Sequence, residues 1–418
     1  MKRTAAFVQE HLKDDTARLI LNKAKWPGIN IDLAVSCIES RSKLKNKVQD
    51  WYDNPELVFP VRLSAEQCSS SATAIYKARL AAEIAGEDMR LADLTGGLGV
   101  DSWFFAKFAS EVLYNEMQEA LCKAAEYNFK ELGTNNIIIS NLEIQPDSQK
   151  LEELLQKFAP DIVFIDPARR SETGKKVFLI EDCTPDVLTL RKDIFTHCRH
   201  LLIKLSPMAD ITMICSRLGP ACREVHVVGA GGECKELLIW MDREWEGEYT
   251  ITAAELPATY PASAAITLSD NPEALSFRAP EGTTVISSER SESRDLFLFE
   301  PGKAIMKAGF FNLIRDRFDI EKMGVSTHYY LTDSPQKAQE LKKYGKIYRI
   351  LSIHPLDKRS IKEAGKTYPH SEVTARNIPM DTETLRKKLG VTSGDDAHIF
   401  GLKSDKSGNL LIITRKEL

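Results

Sequence analysis

The sequence predicts an α/β protein with a doubly wound, mostly parallel sheet, followed by a smaller α+β domain. Short apolar runs alternate with helical patterns between residues 90 and 240, as βαβ units do. A glycine-rich turn follows the first of these runs. Several runs end in an acidic residue, which suits the carboxyl edge of a sheet, where ligands bind in open α/β folds.

The stretch Leu91–Asp101, with the sequence LADLTGGLGVD, is the most informative one. An apolar strand ends at Asp93, turns through Gly96, Gly97 and Gly99, and enters a helix. Glycine suits a turn with positive φ or close approach of a ligand, and free N–H groups at a helix start favour a polar or anionic ligand. The turn therefore predicts a nucleotide-like ligand. NAD(P) and a turn without ligand remain alternatives, although the third glycine of the dinucleotide fingerprint is missing.

The next segments continue the alternation of strands and helices. The run at Val112–Tyr114 predicts a second strand, and Glu116 follows it about 20 residues after the glycines, where an acid commonly accepts hydrogen bonds from a ribose diol. A helix is expected over residues 119–132 and a third strand at Ile137–Ile139. Asn141 comes next, and its side-chain carbonyl can accept a hydrogen bond from an N–H donor.

The segment 160–170, with the sequence PDIVFIDPARR, is the second informative motif. Its continuous apolar run is typical of a parallel strand buried on both faces, and it ends in Asp166 and Pro167. Arg169 and Arg170 follow. A planar guanidinium binds phosphate well, although two arginines after a strand also fit a solvated loop.

Later segments complete the predicted sheet. A helix is expected over residues 185–197, a strand over 201–206, a helix over 211–218, and a closing hairpin around the Gly-rich turn 229–232.

These motifs resemble the class I S-adenosylmethionine-dependent methyltransferases over roughly residues 70 to 243. Asp93-x-Thr95-x-Gly97-x-Gly99 is similar to motif I of that family, with Thr95 in place of its first glycine. The resemblance implies a Rossmann-like seven-stranded core and S-adenosylmethionine as cofactor. It also implies a cofactor site formed by Asp93, Thr95, Gly97, Gly99, Glu116 and Asn141.

The Asp166-Pro167 pair resembles motif IV of nitrogen and RNA base methyltransferases. This resemblance implies that Asp166 faces the transferring methyl group and that Asp166 and the Pro167 backbone orient the acceptor, with Arg169 and Arg170 available for the substrate. Carbon-5 uridine methyltransferases instead need a nucleophilic cysteine at the end of strand five. That strand here ends in Leu205-Ser206-Pro207, so carbon-5 chemistry is not expected.

A ribose 2′-oxygen is the alternative acceptor. Ribose methyltransferases of the Lys-Asp-Lys-Glu type resemble this chain at Lys77, Asp166, Lys204 and Glu236. The resemblance implies a catalytic role for Lys204, since a lysine with a lowered pKa can deprotonate a hydroxyl. It places Lys77 and Glu236 beside the substrate, although an ordinary salt bridge explains these two equally well.

Composition limits the cellular setting. With 418 residues, 43% hydrophobic and 28% charged, the chain predicts two or three globular domains. No apolar run reaches membrane-spanning length, and the N-terminal MKRT leads into a charged helical pattern unlike a signal peptide. The eight cysteines form no C-x-x-C pair and are expected to be reduced. We expect a cytoplasmic protein without a metal site or a membrane partner.

Four regions are expected along the chain: an N-terminal helical region (1–70), the methyltransferase domain (71–245), a connecting segment (246–294) and an α+β domain (295–418). Residues 301–418 contain 22 Lys and Arg residues against 14 Asp and Glu residues, a surplus of eight positive charges, whereas the whole chain has a net charge of −4. This asymmetry predicts a basic module for an anionic partner, RNA being the simplest. Chance is the alternative explanation.

The last region resembles the THUMP-like domain attached to some bacterial methyltransferases, through LFEP at 298–301 and TARN at 374–377. The resemblance implies that this domain delivers RNA, expected to be tRNA or rRNA, to the catalytic core. The sequence thus predicts an RNA methyltransferase. An RNA-binding protein with an inactive core and a methyltransferase for a small molecule or a protein are the alternatives. No feature indicates an oligomeric state.

Overall fold

Two sheets organise the chain, one of nine strands and one of seven. The computed structural model describes residues 2–169, 179–257, 275–277 and 296–417. The chain divides into two units. The first comprises Met1–Gly231, Lys235–Thr252 and Leu256–Arg278, and the second Gly232–Cys234, Ala253–Glu255 and Ala279–Leu418.

Eleven helices are described before residue 257. They are α1 (Lys2–Glu10), α2 (Thr16–Leu21), α3 (Ile31–Leu44), α4 (Gln49–Asp53), α5 (Arg62–Gln67), α6 (Ser71–Ala85), α7 (Val100–Phe105), α8 (Glu119–Glu131), α9 (Gln149–Phe158), α10 (Val187–His197) and α11 (Ile211–Leu218), with 3₁₀ turns at Lys23–Lys25 and Ile180–Asp182.

The strands of this part alternate with the later helices. They are β1 (Arg90–Asp93), β2 (Glu111–Asn115), β3 (Ile137–Ser140), β4 (Ile162–Ile165), β5 (Ala168–Arg169), β6 (Cys183–Thr184), β7 (His200–Leu205), β8 (Cys222–Ala230), β9 (Glu233–Asp242), β10 (Thr250–Leu256) and β11 (Leu275–Phe277). The small β5–β6 pair forms a separate antiparallel ribbon.

The nine-stranded sheet has the order β11-β10-β8-β9-β7-β4-β1-β2-β3. Strands β3, β2, β1, β4 and β7 are parallel neighbours, and β9 runs antiparallel to β7. The predicted Rossmann-like core is therefore confirmed. Because β1 and β4 lie side by side in parallel, the turns after Asp93 and Ile165 meet at one sheet edge. Strands β10 and β11 extend the sheet from within the stretch 246–294, where only a connecting segment was expected.

The N-terminal helices pack around an apolar cluster and are tied to the sheet by α8. Asn128 of α8 accepts a hydrogen bond from the Val58 backbone N–H at 2.9 Å and donates one to the Val58 carbonyl at 2.8 Å. The capping pattern at Ser64–Gln67 predicts a helix that continues to Ala85, but the structure has two helices there, α5 and α6. Ser70 caps α6 by accepting a hydrogen bond from the Thr73 N–H. The break between the helices places the buried Ser69 hydroxyl in the site described below.

The second unit holds the remaining elements. They are β12 (Phe297–Pro301), α12 (Lys303–Ala308), α13 (Phe311–Phe318), β13 (Glu321–Lys322), β14 (Tyr330–Thr332), α14 (Pro335–Leu341), a 3₁₀ turn at Lys342–Tyr344, β15 (Gly345–Pro355), α15 (Lys358–Thr367), β16 (His370–Arg376), α16 (Thr382–Leu389), β17 (Thr392–Ser404) and β18 (Gly408–Lys416). The sheet order is β13-β14-β12-β15-β18-β17-β16. The pattern after Pro301 predicts one helix over residues 304–318, but α12 ends at Ala308 and is followed by Gly309, whose φ of 75° is left-handed.

Helices α15 and α16 cross at very short range. Ile361, Ala364 and Gly365 of α15 are buried together with Leu385 and Leu389 of α16. A Cβ atom at Gly365 would collide with the backbone carbonyl oxygen of Leu389. The crossing therefore depends on the absence of a side chain at this position.

We expect Gly365→Ala to lower the free energy of unfolding by about 1 to 3 kcal/mol, because the helices must separate to admit a methyl group. Urea denaturation measures the change. The neighbouring Lys366 is exposed, so Lys366→Ala serves as control and should shift stability by less than about 0.5 kcal/mol. Equal stability of the Gly365 variant and the wild type would contradict the packing argument.

Candidate functional site

The glycine turn after β1 uses its three glycines in two different ways. A Cβ at Gly96 would enter the ring of Tyr114, and one at Gly99 would lie 2.8 Å from the Phe129 ring. Gly97, with φ of 53°, meets only the Thr95 carbonyl oxygen at 3.9 Å. Two glycines thus admit aromatic packing, whereas Gly97 presents bare backbone to open space. Only Gly97 is suited to close approach of a ligand.

Asp93 lies inside this turn and is 1% exposed. Its carboxylate accepts hydrogen bonds from the Ser102 hydroxyl at 2.6 Å and the Thr95 N–H at 3.1 Å. Burial raises the pKa of Asp93 to about 7, although these hydrogen bonds oppose the shift. The side chain therefore joins the turn to the first turns of α7 instead of facing solvent.

Glu116 follows β2 and lies beside the turn. Its carboxylate accepts the Gly97 N–H at 3.0 Å and the Gln118 N–H at 2.8 Å. A carboxylate has about four acceptor positions, so these bonds orient it without saturating it. Asn141, after β3, donates its amide N–H groups to the carbonyls of Glu116 and Met117. For an N–H donor on a ligand, Asn141 offers its side-chain oxygen.

A hydroxyl connects the two ligand-edge turns of the central strands. The backbone N–H of Asp166, after β4, donates to the Thr95 hydroxyl at 2.7 Å. A glycine at position 95 could not make this bond. The substitution of threonine for the first glycine of the motif therefore has a structural consequence, since it fixes the start of the Asp166-Pro167 turn against the glycine turn.

Asp166 forms an ion pair with Lys204 of β7. The Nζ and Oδ2 atoms are 2.5 Å apart, and the side chains are 37% and 13% exposed, respectively. Burial alone lowers the pKa of Lys204, but the carboxylates of Asp166, Glu236 and Asp101 together raise it above its ordinary value. Lys204 is therefore a bound cation at neutral pH and lacks a lone pair for proton abstraction.

Lys77 of α6 is completely buried in a second charged group. Its ammonium contacts the Glu236 carboxylate at 2.8 Å, the Ser69 hydroxyl at 2.9 Å and the Asp101 carboxylate at 3.2 Å. Ser69 also donates to Asp101 at 2.8 Å. Burial raises the pKa of Glu236, and the charges of Lys77 and Lys204 oppose the shift. Lys77 and Glu236 are thus shielded from solvent and held by each other.

The structure brings most of the sequence-predicted residues together at the carboxyl edge of β1, β2, β4 and β7. Pro167 is buried there. Arg169 forms part of β5 through its backbone, and Arg170 lies outside the described residues. Cys183, paired in register with Arg169, is 0% exposed, so it offers no accessible thiol. Among the described residues, none of the His, Cys, Asp and Glu side chains form a group that could hold a metal ion.

Several residues of the site escaped the sequence reasoning. Ser69 lies in a helix break that the pattern did not reveal, and Asp101 was seen only as a helix start. Met117 and Met208, two and three positions after the ends of β2 and β7, are 59% and 74% exposed. Exposed methionines shortly after two strands that end at this edge are a signal that the sequence reasoning did not use.

Two family models match the second unit. Residues 345–416 match a THUMP domain-like family and residues 297–338 match a ferredoxin-like domain. The region expected as one THUMP-like domain thus contains two recognised segments, which share a sheet through the antiparallel pairing of β12 with β15. None of the curated proteins matches the chain in sequence.

Solved structures include one that matches the whole chain. A crystal structure from Porphyromonas gingivalis W83, described as a "putative methyltransferase", is 26% identical with a TM-score of 0.80, covering 100% of this chain and 98% of that one. An rRNA methylase from Streptococcus thermophilus matches at 14% identity and TM-score 0.29, covering 40% and 96%. A SAM-dependent methyltransferase from Agrobacterium tumefaciens matches at 16% and 0.29, covering 41% and 61%. Scores near 0.3 support no conclusion.

Strand order, the glycine turn and the matches define the class. The chain has the fold of a class I methyltransferase followed by a THUMP-like domain. Its whole arrangement is similar to that of the Porphyromonas gingivalis protein.

The raised pKa of Asp93 predicts a pH-dependent stability. Between about pH 4 and pH 7 the folded state keeps a proton that the unfolded state has lost, so the free energy of unfolding falls as pH rises through this window and levels off above it. The difference in free energy of unfolding between Asp93→Asn and the wild type should therefore shift by about 2 to 3 kcal/mol in favour of the variant from pH 5 to pH 8. Urea denaturation at several pH values measures this difference. Asp161→Asn, an exposed control, should not show it, and parallel curves for Asp93→Asn would contradict the assignment.

Proposed function

We propose that this protein is an S-adenosylmethionine-dependent methyltransferase that modifies RNA. The bond between the Thr95 hydroxyl and the Asp166 N–H carries the proposal. This bond joins the glycine turn, in which Gly97 faces open space, to Asp166 at the end of the neighbouring strand. A cofactor beside Gly97 and an acceptor beside Asp166 would therefore lie next to each other, and proximity supplies much of the rate in group transfer.

The residues around Gly97 fit the cofactor. Gly97 leaves room for it, and Glu116 keeps acceptor positions free for a ribose diol. The oxygen of Asn141 suits the exocyclic amine of an adenine. When bound, S-adenosylmethionine supplies the electrophilic methyl group. Asp93 shapes the turn from inside, so we assign it a positioning role in place of direct cofactor contact.

Electrostatics favours a nitrogen acceptor over a ribose oxygen. A ribose hydroxyl must lose a proton before it attacks the methyl group, whereas an exocyclic amine keeps its protons until after the attack. Hydrogen bonds from its N–H groups to carboxylate and carbonyl oxygens favour the geometry in which its lone pair leaves conjugation with the base ring, and the methylated nitrogen then releases one proton to solvent. Lys204 is held protonated by Asp166, and Lys77 is sealed from solvent. We therefore propose that Asp166 and the Pro167 backbone orient an amino nitrogen, and that Lys204 holds Asp166 in place.

A ribose 2′-oxygen remains the second candidate for one reason. Lys77, Asp166, Lys204 and Glu236 form two ion pairs that lie close enough for the charges of Glu236 and Lys204 to influence each other. This is the set of residue types that ribose methyltransferases of the Lys-Asp-Lys-Glu type contain. An RNA that displaces Asp166 from Lys204 would remove one carboxylate that raises the pKa of the ammonium group, which could then lose its proton to solvent and accept the hydroxyl proton.

The choice of RNA as substrate rests on the second unit. Its match to a THUMP domain-like family is an argument from fold analogy. The surplus of eight positive charges over residues 301–418 supports an anionic partner independently. We propose tRNA or rRNA in the cytoplasm, where cysteines such as those described here remain free thiols.

Two variants separate cofactor binding from methyl transfer. Glu116→Ala should weaken S-adenosylmethionine binding about 10- to 100-fold in titration calorimetry, because hydrogen bonds to a charged acceptor are lost. Asp166→Ala should leave that affinity within about threefold but reduce transfer of labelled methyl groups to bulk RNA by about 100-fold or more, because no side-chain oxygen remains to orient the acceptor. The control is Asp161→Ala, at the opposite end of β4. Lack of cofactor binding by the wild type, or full activity of Asp166→Ala, would exclude the proposal.

Replacement of Lys204 distinguishes the acceptors. If a base nitrogen is methylated, Lys204→Met should reduce the rate by less than removal of Asp166 does, with no change in how activity rises with pH. Mass spectrometry of digested RNA identifies the methylated nucleoside. Complete loss of a ribose-methylated product in Lys204→Met would favour the ribose oxygen instead.

A further inference from the structure

We propose that α15 and α16 of the second unit form an RNA-binding surface that contacts the phosphate backbone. The proposal rests on the proposed function, because it takes RNA as the partner, and it goes further by naming the side chains that bind it. We call this surface the basic helix pair. It consists of Lys358, Lys362 and Lys366 of α15 and Lys387 and Lys388 of α16.

The lysines of α15 form one exposed row. Lys358, Lys362 and Lys366 are spaced by four residues, so they follow one side of the helix at intervals of about 6 Å. All three are exposed. Ile361, Ala364 and Gly365 occupy the buried side. Exposed ammonium groups in such a row match the repeating charge of a phosphate backbone better than a single ion.

The crossing of the helices adds the lysines of α16. Gly365 lets the two backbones approach at Leu389, as shown above. Lys366 directly follows Gly365, and Lys388 directly precedes Leu389. Because both lysines are exposed and adjacent in sequence to the backbone contact, we infer that the positive charges of the two helices adjoin and form a broader area than either helix alone.

None of these lysines forms a salt bridge within the part of the chain that the structure describes, unlike the arginines of the two helices. Glu363 of α15 pairs with Arg359 at 3.1 Å, and Glu383 of α16 pairs with Arg386 at 4.0 Å. Asp357 and Asp381 cap the helix N-termini, and Lys387 interacts with Asp381 only over a longer distance. The lysine charges remain available to an external anion.

Helix stability does not explain the whole row. Cations in the last turn of a helix interact favourably with its dipole, which accounts for Lys366, Lys387 and Lys388. Lys358 occupies the first turn of α15, where the dipole disfavours a cation. The helix dipole therefore does not account for the positive charge at that end, and a phosphate contact outside the helix does.

RNA fits this surface better than an acidic protein does. Phosphodiester charges recur along the chain at a fixed spacing, and their contact with lysines releases condensed counterions. The affinity of such a contact falls steeply with salt, and the slope reports the number of phosphates neutralised. If the lysines of α15 were only solvated and did not contact RNA, their removal would leave this slope unchanged.

The test compares two triple variants of the full chain in filter binding to bulk tRNA across a salt series. Lys358→Gln/Lys362→Gln/Lys366→Gln should bind at least about tenfold more weakly and reduce the slope of log K against log salt by roughly 2 to 3. The control, Lys13→Gln/Lys23→Gln/Lys25→Gln, removes the same charge from exposed positions of the first unit and should leave the slope within about 0.5 of the wild type.

Each outcome decides a separate point. If the wild type binds tRNA and the α15 variant keeps its slope, or if both variants lose it equally, the basic helix pair is excluded while the proposed function stands. If the wild type binds S-adenosylmethionine but no tRNA, the RNA substrate and this surface both fail. Displacement of tRNA by polyglutamate at equal charge concentration would assign the surface to an acidic protein instead. Thermal unfolding confirms that both variants fold.

Discussion

The buried ammonium group of Lys77 is the constraint on which the arrangement of the site depends. A charge that cannot reach water must keep its partners, because removal of one carboxylate from a buried pair typically costs several kcal/mol. Glu236 and Asp101 therefore hold β9 and the first turn of α7 against α6. The glycine turn lies immediately before α7, so its position relative to β9 follows from this group. The charges of Glu236 and Asp101 also raise the pKa of Lys204, which stays protonated as a result.

The succession of strands and helices in the core was predictable because its signals are local. Apolar runs that end in Asp93, Glu116 and Asp166 define three neighbouring strands, and parallel pairing then forces their carboxyl ends to one edge. The helix break before α6 was not predictable, because Ser69 donates a hydrogen bond to Asp101, which is distant in sequence, and accepts one from the buried Lys77. Strand β10 was missed for a similar reason, since the sheet edge stabilises a segment whose own pattern is weak.

Individual roles in the site were less accessible to sequence reasoning than its location. Three glycines in a turn suggest one purpose, yet Gly96 and Gly99 make room for aromatic rings that lie elsewhere in the sequence. Lys77 and Glu236 were candidates for contact with the substrate, and only the packing shows that they are sealed together. Thr95 looked like a deviation from a motif, but its hydroxyl aligns the neighbouring turn. In each case the role depends on a partner that the motif does not contain.

The same electrostatic arrangement limits the chemistry available at the acceptor side. The carboxylates of Asp166, Glu236 and Asp101 raise the pKa of Lys204, so they work against proton abstraction by Lys204 and for fixed placement of Asp166. Such a site suits an acceptor that loses its proton only after the attack, such as an exocyclic amine oriented by hydrogen bonds. A ribose hydroxyl would require the Asp166–Lys204 pair to open first, and the energy for that opening would have to come from substrate binding. The acceptor therefore depends on the ion pair between Lys204 and Asp166, whose atoms are 2.5 Å apart. If bound RNA leaves this contact intact, an amine is methylated, and if bound RNA breaks it, a ribose hydroxyl can react.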